Sequence, residues 1–435
     1  MTFDDQVDVA VLGGGACGLV AALRAARDPG LVVAVYEKST REGCNTRYSS
    51  GSLAAGGTRY QRAAGIDDSP GRHARDILAV NGDPASAPIV NALCRVAPRY
   101  VEWLADDLGH PVELGLDMAR AGQSVPRLHT DTGRAGGARL METLRRAAEA
   151  APNIAFVDNA PGIGLISRND AVVGAEVLEN GVKRRVGAGA VVLAADGFAN
   201  NPAMMAEHCP EAEGAFYGGV STSTGDAIGW GLELGAAVRN MGSFLGHGLV
   251  VQGHGTRLNP VLPFLGAVLV DDQGHRFVDE KAQGYSKLGR IIADRRAVLI
   301  WDQPMHETAM HSELMRESET AGAFTTHPTP AHLAAAYSLP DLTLPADFTP
   351  PLRAGRVTSG ILTTQGGLLV DPRGRVQHRT GGWIKGLYAG GGSACGISGP
   401  SSEGYMSGNG LLAALGFGWL IGDHLAARER GIMAG

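Results

Sequence analysis

The amino-terminal stretch of the chain reads Val7-Asp8-Val9-Ala10-Val11-Leu12-Gly13-Gly14-Gly15-Ala16-Cys17-Gly18. Its valines alternate with other residues, which predicts a β-strand that ends at a glycine turn. The apolar run at residues 19–26 predicts a helix that ends before Pro29-Gly30. A second apolar run, residues 31–36, predicts another strand and leads directly to Glu37. A strand, a glycine turn, a helix, a strand and an acidic residue therefore follow one another at the start of the chain.

The three glycines of this Gly-x-Gly-x-x-Gly pattern have separate physical roles in holding a dinucleotide. Gly13 allows the tight turn, Gly15 lets the backbone approach a pyrophosphate, and Gly18 lets the helix pack closely on the strand. The free N–H groups at the helix N-terminus favour the negative charge of the phosphates. Glu37 accepts hydrogen bonds from the ribose hydroxyls. The glycine pattern alone is weak evidence, but with both strands and Glu37 it predicts a dinucleotide site.

The segment after Glu37 distinguishes a flavin from a nicotinamide. Residues 37–57 are small, polar and rich in glycine, which suits backbone that lies against a large flat ring and its phosphates. Within this segment, Glu37-Lys38 and the run from Gly43 to Gly57 (GCNTRYSSGSLAAGG) resemble the flavin-binding region of the succinate dehydrogenase/fumarate reductase flavoprotein family. The resemblance implies FAD as the cofactor.

Further motifs of that family occur in the family's order along nearly the whole chain. Residues 196–202 (DGFANNP) resemble its GGFxxNP turn, and residues 224–227 (TGDA) resemble its TGDG turn. Residues 274–280 (GHRFVDE) resemble GxRFxNE, and residues 386–391 (GLYAGG) resemble GLYAAGE. Because the motifs recur in order, the resemblance is specific.

The resemblance implies an α/β fold in which a glutathione-reductase-like Rossmann FAD domain carries an inserted α+β cap domain. We expect residues 1–215 and 355–435 to form a discontinuous FAD-binding domain and residues 216–354 to form a substrate cap. The FAD is expected to be noncovalent, because no histidine lies between Glu37 and Arg72, where membrane succinate dehydrogenases attach their flavin.

The cofactor-binding residues that we expect combine the glycine turn, the segment after Glu37 and the later motifs. They are Gly13, Gly15, Ala16, Gly18, Glu37, Lys38, Asn45, Thr46, Ser50, Gly51, Ala160, Asp196, Asp226, Gly391, Asn409, Gly410 and Leu411.

Three positions that handle dicarboxylates in the fumarate reductases are filled differently here. The position of the family's proton-donating arginine corresponds to Gly284, and no arginine occurs in residues 398–405. The family's HTxGG motif appears as residues 363–367 (TTQGG), without the histidine. Tyr285 and Tyr405 instead stand where the 3-ketosteroid dehydrogenases of the same superfamily place tyrosines that polarise a ketone and remove an α-proton.

Two histidines are further catalytic candidates, His129 and His247. The segment around His129 resembles a family region near the substrate and flavin, and His247 follows the TGDA turn at roughly the position of a family substrate histidine. A purely structural role stays open for these histidines and for both tyrosines. The arginines considered as carboxylate ligands are Arg127, Arg134 and Arg290.

The resemblance and these candidates predict an FAD-dependent oxidoreductase that acts on CH–CH groups. The favoured reaction is the α,β-dehydrogenation of a carbonyl compound such as a cyclic ketone or oxo-acid, with hydride transfer to flavin N5 and a tyrosine as acid/base. One alternative is a reductase or dehydrogenase of a fumarate-, tricarballylate- or urocanate-like unsaturated carboxylate. Another is a flavin electron-transfer subunit without a substrate of its own.

Composition sets the remaining expectations. The 435 residues are 44% hydrophobic and 19% charged, with a formal net charge of −6, which is typical of a globular enzyme and gives no reason to expect a nucleic-acid partner. The five cysteines have no CxxC spacing, so we expect no metal and a reduced, cytoplasmic chain. The apolar run at residues 411–421 is too short for a membrane span. Oxygen, a quinone or a separate carrier is the expected electron acceptor.

Overall fold

The computed structural model describes residues 2–116, 122–132, 136–293 and 295–428, except for the side chains of residues 284–286, 313 and 428. The strands are β1 Asp5–Leu12, β2 Val33–Tyr36, β3 Leu53–Ala54, β4 Glu113–Leu114, β5 Leu128–Thr130, β6 Ile154–Val157, β7 Gly162–Arg168, β8 Ala171–Glu179, β9 Val182–Leu193, β10 Phe216–Tyr217, β11 Val238–Arg239, β12 Phe244–Val251, β13 Val268–Val270, β14 Ala297–Trp301, β15 Thr325–His327, β16 Leu352–Thr364, β17 Gly367–Leu368, β18 Arg375–Gln377 and β19 Trp383–Ala389. The helices are α1 Ala16–Ala25, α2 Arg59–Ala63, α3 Pro70–Asn81, α4 Ala87–Asp106, α5 Gly137–Ala150, α6 Pro202–His208, α7 Asp226–Glu233, α8 Leu262–Leu265, α9 Glu280–Ile291, α10 Gln303–Ala309, α11 Glu313–Thr320, α12 Pro330–Tyr337 and α13 Asn409–Arg428.

The FAD domain is built on a parallel sheet with the order β6-β2-β1-β9-β19. The β1 strand lies at its centre, where Val9 is opposite Val33 of β2 and Ala190 of β9. Burial of this strand on both faces explains its apolar sequence. Strand β19, from the far end of the chain, pairs with β9, so segments distant in sequence share this sheet. The mixed α/β architecture with a parallel sheet confirms the predicted fold class.

The cap has a second sheet, in which β16 pairs with β10, β12, β14 and β15, and β13 pairs with β14. The predicted cap boundary at residue 354 falls inside β16, which stays in the cap sheet as far as Thr364. The segment at residues 226–236 contributes Ala227, Ile228 and Ala236 to the core of the FAD domain instead of the cap cores. The domain limits drawn from the sequence therefore differ from the layers of packed structure at both junctions.

Helix α13 packs against α1 along glycines. A Cβ at Gly418 would overlap the Cys17 carbonyl oxygen, and one at Gly422 would overlap the Ala21 carbonyl oxygen. Among the described residues, one helical stretch, Asn409–Ala427, is long and apolar enough to cross a membrane, by length and composition only. More than half of that stretch is buried inside the structure, as in the core helix of a globular fold. The helix is longer than the apolar run at residues 411–421 that was expected from the sequence. Its glycines interrupt the apolar pattern, although the helix continues through them.

Burial of His73 makes the stability of the folded protein depend on pH. Its side chain is fully buried, and both ring nitrogens lack a hydrogen-bond partner within the described part of the chain. Burial, with Arg127 nearby, lowers the pKa of His73 to about 3. Below its ordinary pKa of about 6.5, the unfolded chain therefore binds a proton that the folded protein does not, and stability falls as the pH falls.

We predict that His73→Leu makes the protein less sensitive to acid. In the wild type, His73 makes the free energy of unfolding fall by about 1.4 kcal/mol for each pH unit between about pH 6.5 and pH 3. The variant lacks this fall. Its melting temperature should therefore fall less steeply than that of the wild type over the upper part of this range. His254→Leu is the control, because His254 is exposed in the folded protein. Equal slopes for His73→Leu and the wild type would contradict the assignment.

Candidate active site

The glycines of the turn between β1 and α1 differ in their surroundings. Gly13 and Gly18 are closely packed, whereas Gly15 faces open space. Gly13 has a φ of 109°, and a Cβ there would overlap the Ala194 carbonyl oxygen. A Cβ at Gly18 would overlap the carbonyl oxygen of Gly13. A Cβ at Gly15, in contrast, meets only the Cβ of Cys44, at 3.8 Å. The backbone around Gly15 therefore faces open space at the N-terminus of α1, as a pyrophosphate cradle requires.

Glu37 lies directly beside this turn. Its carboxylate accepts the N–H of Gly14 at 2.6 Å and the N–H of Ser39 at 2.9 Å. Both bonds fix the orientation of the side chain at the end of β2. Glu37 also lines the cavity in front of the turn, so its carboxylate is held where ribose hydroxyls would lie.

We call this first cavity the cofactor cavity. Most of the predicted cofactor-binding residues line it, and they come from α1, the segment after β2, the turns near residues 196 and 226, and the start of α13. Those that line it are Gly13, Gly15, Ala16, Glu37, Lys38, Asn45, Thr46, Asp196, Asp226, Gly391, Gly410 and Leu411.

The remaining predicted residues lie elsewhere. Gly18 packs α1 on the turn, as its predicted role requires, and Ser50 lines a second cavity. A Cβ at Gly51 would contact the backbone of Gly136, 2.5 Å from its carbonyl carbon, so Gly51 is a packing glycine. Ala160 is fully buried and donates its N–H to the Glu37 carbonyl oxygen at 2.9 Å, which supports the wall of the site from behind.

Polar pairs hold the rim of the cofactor cavity. Lys38 Nζ lies 3.1 Å from Asp226 Oδ2, which joins the end of β2 to the start of α7. Asn45 Nδ2 donates to Asp196 Oδ2 at 2.5 Å, and Asn45 Oδ1 accepts the N–H of Val220 at 3.2 Å. These contacts connect three segments that are distant in sequence, so they preorganise the cavity wall.

The start of α13 gives an independent sign that a polar group belongs here. Asn409 is fully buried, and neither its Nδ2 nor its Oδ1 has a hydrogen-bond partner within the described residues. Buried amides are almost always hydrogen-bonded in proteins. The orphaned amide, the open backbone at Gly15 and the N-termini of α1 and α13 together fit a dinucleotide cofactor.

Sequence reasoning did not single out Cys17, Cys44 or Trp230, which also line the cofactor cavity. Burial raises the pKa of the Cys17 thiol to about 12 and that of Cys44 to about 11. Both thiols are therefore neutral at physiological pH and are poor nucleophiles. These residues are far apart in the sequence, so no local sequence pattern predicts that they line one cavity.

A second cavity of about 500 Å³ adjoins the first, and we call it the substrate cavity. It lies between the FAD domain, which contributes Leu128 and Leu411, and the cap, which contributes His247 and Leu265. Residues that line both cavities include Tyr48, Arg257 and Tyr405. The two cavities are therefore neighbours with shared walls.

Tyr405 stands at this shared wall. Its hydroxyl oxygen accepts the N–H of Gly410, at 3.4 Å, at the N-terminus of α13. The positive end of the helix dipole favours negative charge on the phenol oxygen. Tyr405 therefore lies where the two cavities meet, and its role as an acid/base residue stays a prediction.

Tyr285, the second predicted tyrosine, has a side chain outside the described part of the structure. Its backbone lies in α9, and α9 packs closely on β12, because a Cβ at Gly248 would approach Gly289 N to 2.6 Å. Its predicted role as an acid/base residue stays a prediction.

His247 is almost fully buried in β12 and lines the substrate cavity. Burial, with Arg257 nearby, lowers the pKa of His247 to about 3, so the ring is neutral at physiological pH. Its Nδ1 accepts the N–H of Leu249 at 3.2 Å, which places the ring proton on Nε2. His247 is therefore a neutral ring with its N–H at Nε2.

His129 makes contacts that fit a structural role, and its catalytic role stays a prediction. The ring is fully buried, with Nε2 bonded to Thr58 Oγ1 at 2.8 Å and Nδ1 facing the Leu53 carbonyl oxygen at 3.2 Å. It does not line either cavity. The two ring nitrogens thus connect β5 to Thr58 and to Leu53 of β3, so the buried ring keeps its hydrogen bonds.

The arginines considered as carboxylate ligands are engaged elsewhere or not described. Arg127 is fully buried and pairs with Asp68 at 3.1 Å and Asp76 at 2.7 Å. Arg290 pairs with Glu403 at 2.8 Å, and Arg134 lies outside the described residues. Sequence reasoning missed Arg257, which lines both cavities, because a single arginine in a glycine-rich turn gives no signal.

The described residues contain no group of three or more histidine, cysteine, aspartate or glutamate side chains that would hold a metal ion.

Comparison with known proteins identifies the family. The FAD binding domain family matches residues 8–411 of the chain. An NADH:fumarate oxidoreductase of Klebsiella pneumoniae is 26% identical over 98% of the chain and 48% of its own length, and a fumarate reductase (cytochrome) of Shewanella frigidimarina is 28% identical over 97% of the chain and 77% of its own length. The chain thus spans about half of the first protein.

One solved structure shares the whole fold. The 3-ketosteroid-Δ4-(5α)-dehydrogenase from Rhodococcus jostii RHA1, in complex with 4-androstene-3,17-dione, superposes with a TM-score of 0.74. Its sequence identity is 24%, and the match covers 98% of this chain and 98% of that protein. At this identity the likeness concerns the fold alone. The family match across residues 8–411 shows that the chain belongs to the FAD binding domain family and is an FAD-dependent oxidoreductase.

Proposed function

We propose that the protein catalyses the α,β-dehydrogenation of a carbonyl compound, or the reverse reaction, with Tyr405 as the acid/base residue. The position of Tyr405 carries this proposal, because it lines both cavities and its hydroxyl oxygen accepts the N–H of Gly410. A substrate that occupies the substrate cavity next to the cofactor would meet this hydroxyl group.

When bound, FAD supplies the acceptor for a hydride from the β-carbon of the substrate. The α-carbon must lose a proton as the carbon–carbon double bond forms, and a positioned base takes that proton. The N–H of Gly410 donates to the phenol oxygen of Tyr405 and holds this hydroxyl group at the start of α13. Tyr405 thus removes the α-proton, while Nε2–H of His247 donates a hydrogen bond to the carbonyl oxygen.

The reduction of an unsaturated carboxylate is the second candidate reaction. It is favoured by Arg257 and His247, a cation and a neutral donor that line one cavity. A flavin electron-transfer subunit without its own substrate has less support, because the cap and the FAD domain enclose a cavity of about 500 Å³ next to the cofactor cavity. The external acceptor of electrons, oxygen, a quinone or a carrier, and the cytoplasmic location stay predictions.

We propose that the FAD is held noncovalently. The neutral thiol of Cys44 supports this, and so does the lack of histidine in the sequence between Glu37 and Arg72. Backbone N–H groups at Gly15 and at the start of α13 then carry the binding.

We predict that the purified protein releases its flavin on acid treatment and that Gly15→Leu abolishes flavin binding. A Cβ at Gly15 has room in the folded chain, but the rest of a leucine side chain would occupy the space of the pyrophosphate. Flavin absorbance per mole of protein, after gel filtration, measures the loss.

Gly71→Leu is the matched control, because Gly71 is an exposed residue of α3, outside the cofactor cavity. This variant should keep its full flavin content. Flavin that stays with acid-precipitated protein, or a fully flavinated Gly15→Leu variant, would contradict the proposal.

We predict that Tyr405→Phe keeps the flavin content and lowers the rate of flavin reduction by about 10²-fold or more, the usual scale of acid–base assistance. The rate is measured anaerobically by stopped flow with the cyclic ketone that reduces the wild type fastest. Tyr285→Phe is measured in parallel, because its predicted role rests on the sequence.

Tyr48→Phe is the control, since Tyr48 is another tyrosine that lines the same two cavities. Its rate should stay within a few-fold of the wild type. A Tyr405→Phe variant that reduces its flavin at the wild-type rate would exclude Tyr405 as the acid/base residue.

A further inference from the structure

Arg257 is positioned by a tight turn at the end of β12. The chain leaves β12 at Val251 and reverses through residues 252–255, where Gly255 has a φ of 69°. It returns antiparallel, so that Val250 and Arg257 are bridge partners and the Leu258 N–H donates to the Leu249 carbonyl oxygen at 2.9 Å. The turn therefore holds Arg257 next to the strand that carries His247.

The guanidinium of Arg257 has few partners in the protein. Nη2 donates to the Tyr48 carbonyl oxygen at 3.3 Å, and no carboxylate lies within ion-pair distance of it among the described residues. A guanidinium has five N–H donors, and one bond to a carbonyl leaves donors available for a ligand. Burial lowers the pKa of Arg257, and the attraction of Glu317 offsets this effect only in part.

The charges around the substrate cavity leave a net positive lining. Arg47 and Arg257 carry positive charge, Glu317 carries negative charge, and His247 is neutral because of its lowered pKa. Arg47 and Glu317 are exposed at the rim, whereas Arg257 is partly buried and also lines the cofactor cavity. In this partly desolvated position an opposite charge on a ligand interacts more strongly with Arg257 than with the rim residues.

We propose that Arg257 binds a carboxylate on the substrate, so that the substrate class is an oxo-acid whose carbonyl lies toward Tyr405 and His247. This inference rests on the proposed function for the carbonyl end of the substrate. The fork of a guanidinium matches a carboxylate with two parallel hydrogen bonds, which fixes the direction as well as the affinity. A neutral ketone of the same shape lacks that contact.

Two other uses of Arg257 fit the contacts less well. The cofactor phosphates belong at the start of α1, where the backbone at Gly15 is open, whereas Arg257 comes from the cap. A purely structural tie to the loop at residue 48 would need only the single hydrogen bond to Tyr48 O, for which a neutral side chain suffices.

The test compares oxo-acids with their methyl esters as ligands of the flavin-loaded protein. The probes are 4-oxocyclohexane-1-carboxylate and 4-oxopentanoate, each titrated against its methyl ester under anaerobic conditions. Perturbation of the flavin absorbance gives the dissociation constants, so binding is measured whether or not a probe is oxidised. We expect the wild type to prefer the acid of at least one pair by about 10-fold or more, as for hydrogen bonds to charged groups.

Arg257→Gln should reduce this preference to about one, while the affinity for the ester and the flavin content stay unchanged. Arg257→Lys should keep part of the preference. Arg47→Gln, at the rim of the same cavity, is the matched control and should keep most of it. Glu317→Gln should increase the affinity for the acid, because it removes a competing negative charge.

No preference for either acid in the wild type, no detectable binding of any probe, or a preference that survives Arg257→Gln would overturn the assignment. Loss of the preference in Arg47→Gln alone would also overturn it. The two proposals fail separately. An unchanged rate in Tyr405→Phe contradicts the acid/base role without altering the binding preference, and a lost preference leaves the Tyr405 result intact.

Discussion

The close contact between α1 and α13 is the constraint on which the site depends. Gly418 and Gly422 are four residues apart and therefore lie on one face of α13, where they let its backbone meet the backbone of α1. Both helices begin at the cofactor cavity, so this contact brings two helix N-termini to one ligand. Gly18 sets the position of α1 against β1 in the same way, and Gly13 lets the turn meet the backbone of Ala194. A larger residue at any of these glycines would separate the layers and widen the cradle.

The cap and the FAD domain contribute different groups to the two cavities. The FAD domain provides the cradle and Tyr405, and the cap provides a neutral histidine and a cation. Enclosure of these groups accounts for the lowered pKa values of His247 and Arg257, since burial disfavours a charged side chain. A site that excludes water in this way strengthens the interactions of its polar groups with a substrate. Under the proposed function, the cap recognises the substrate and a residue beside the start of α13 transfers the proton.

Much of the cofactor half was predictable from the sequence because its signals are local. The glycine turn, α1 and Glu37 follow one another along the chain, and each residue type has one physical reason to be there. The substrate half depends on contacts between distant segments. His129, a predicted site residue, does not line either cavity, and a sequence does not show that its ring nitrogens bond to Thr58 and Leu53.

Arg257 was missed for the same reason. Arg257 becomes a site candidate only in the folded chain, where its turn places it in the wall shared by both cavities. The expected return of the chain at residue 355 fell within β16, because a strand that continues in one sheet does not mark a boundary in its sequence. The length of α13 was underestimated, since its glycines are packing residues and not helix breaks.

The most direct test of the central claim is anaerobic reduction of the bound flavin by carbonyl compounds, followed by its absorbance. The account predicts that at least one oxo-acid or cyclic ketone bleaches the flavin and is recovered as its α,β-unsaturated product. Deuterium at the β-carbon should slow the bleaching, because hydride leaves from that carbon. Flavin that no carbonyl compound reduces, in a protein whose reduced flavin is reoxidised by an unsaturated dicarboxylate, would contradict it.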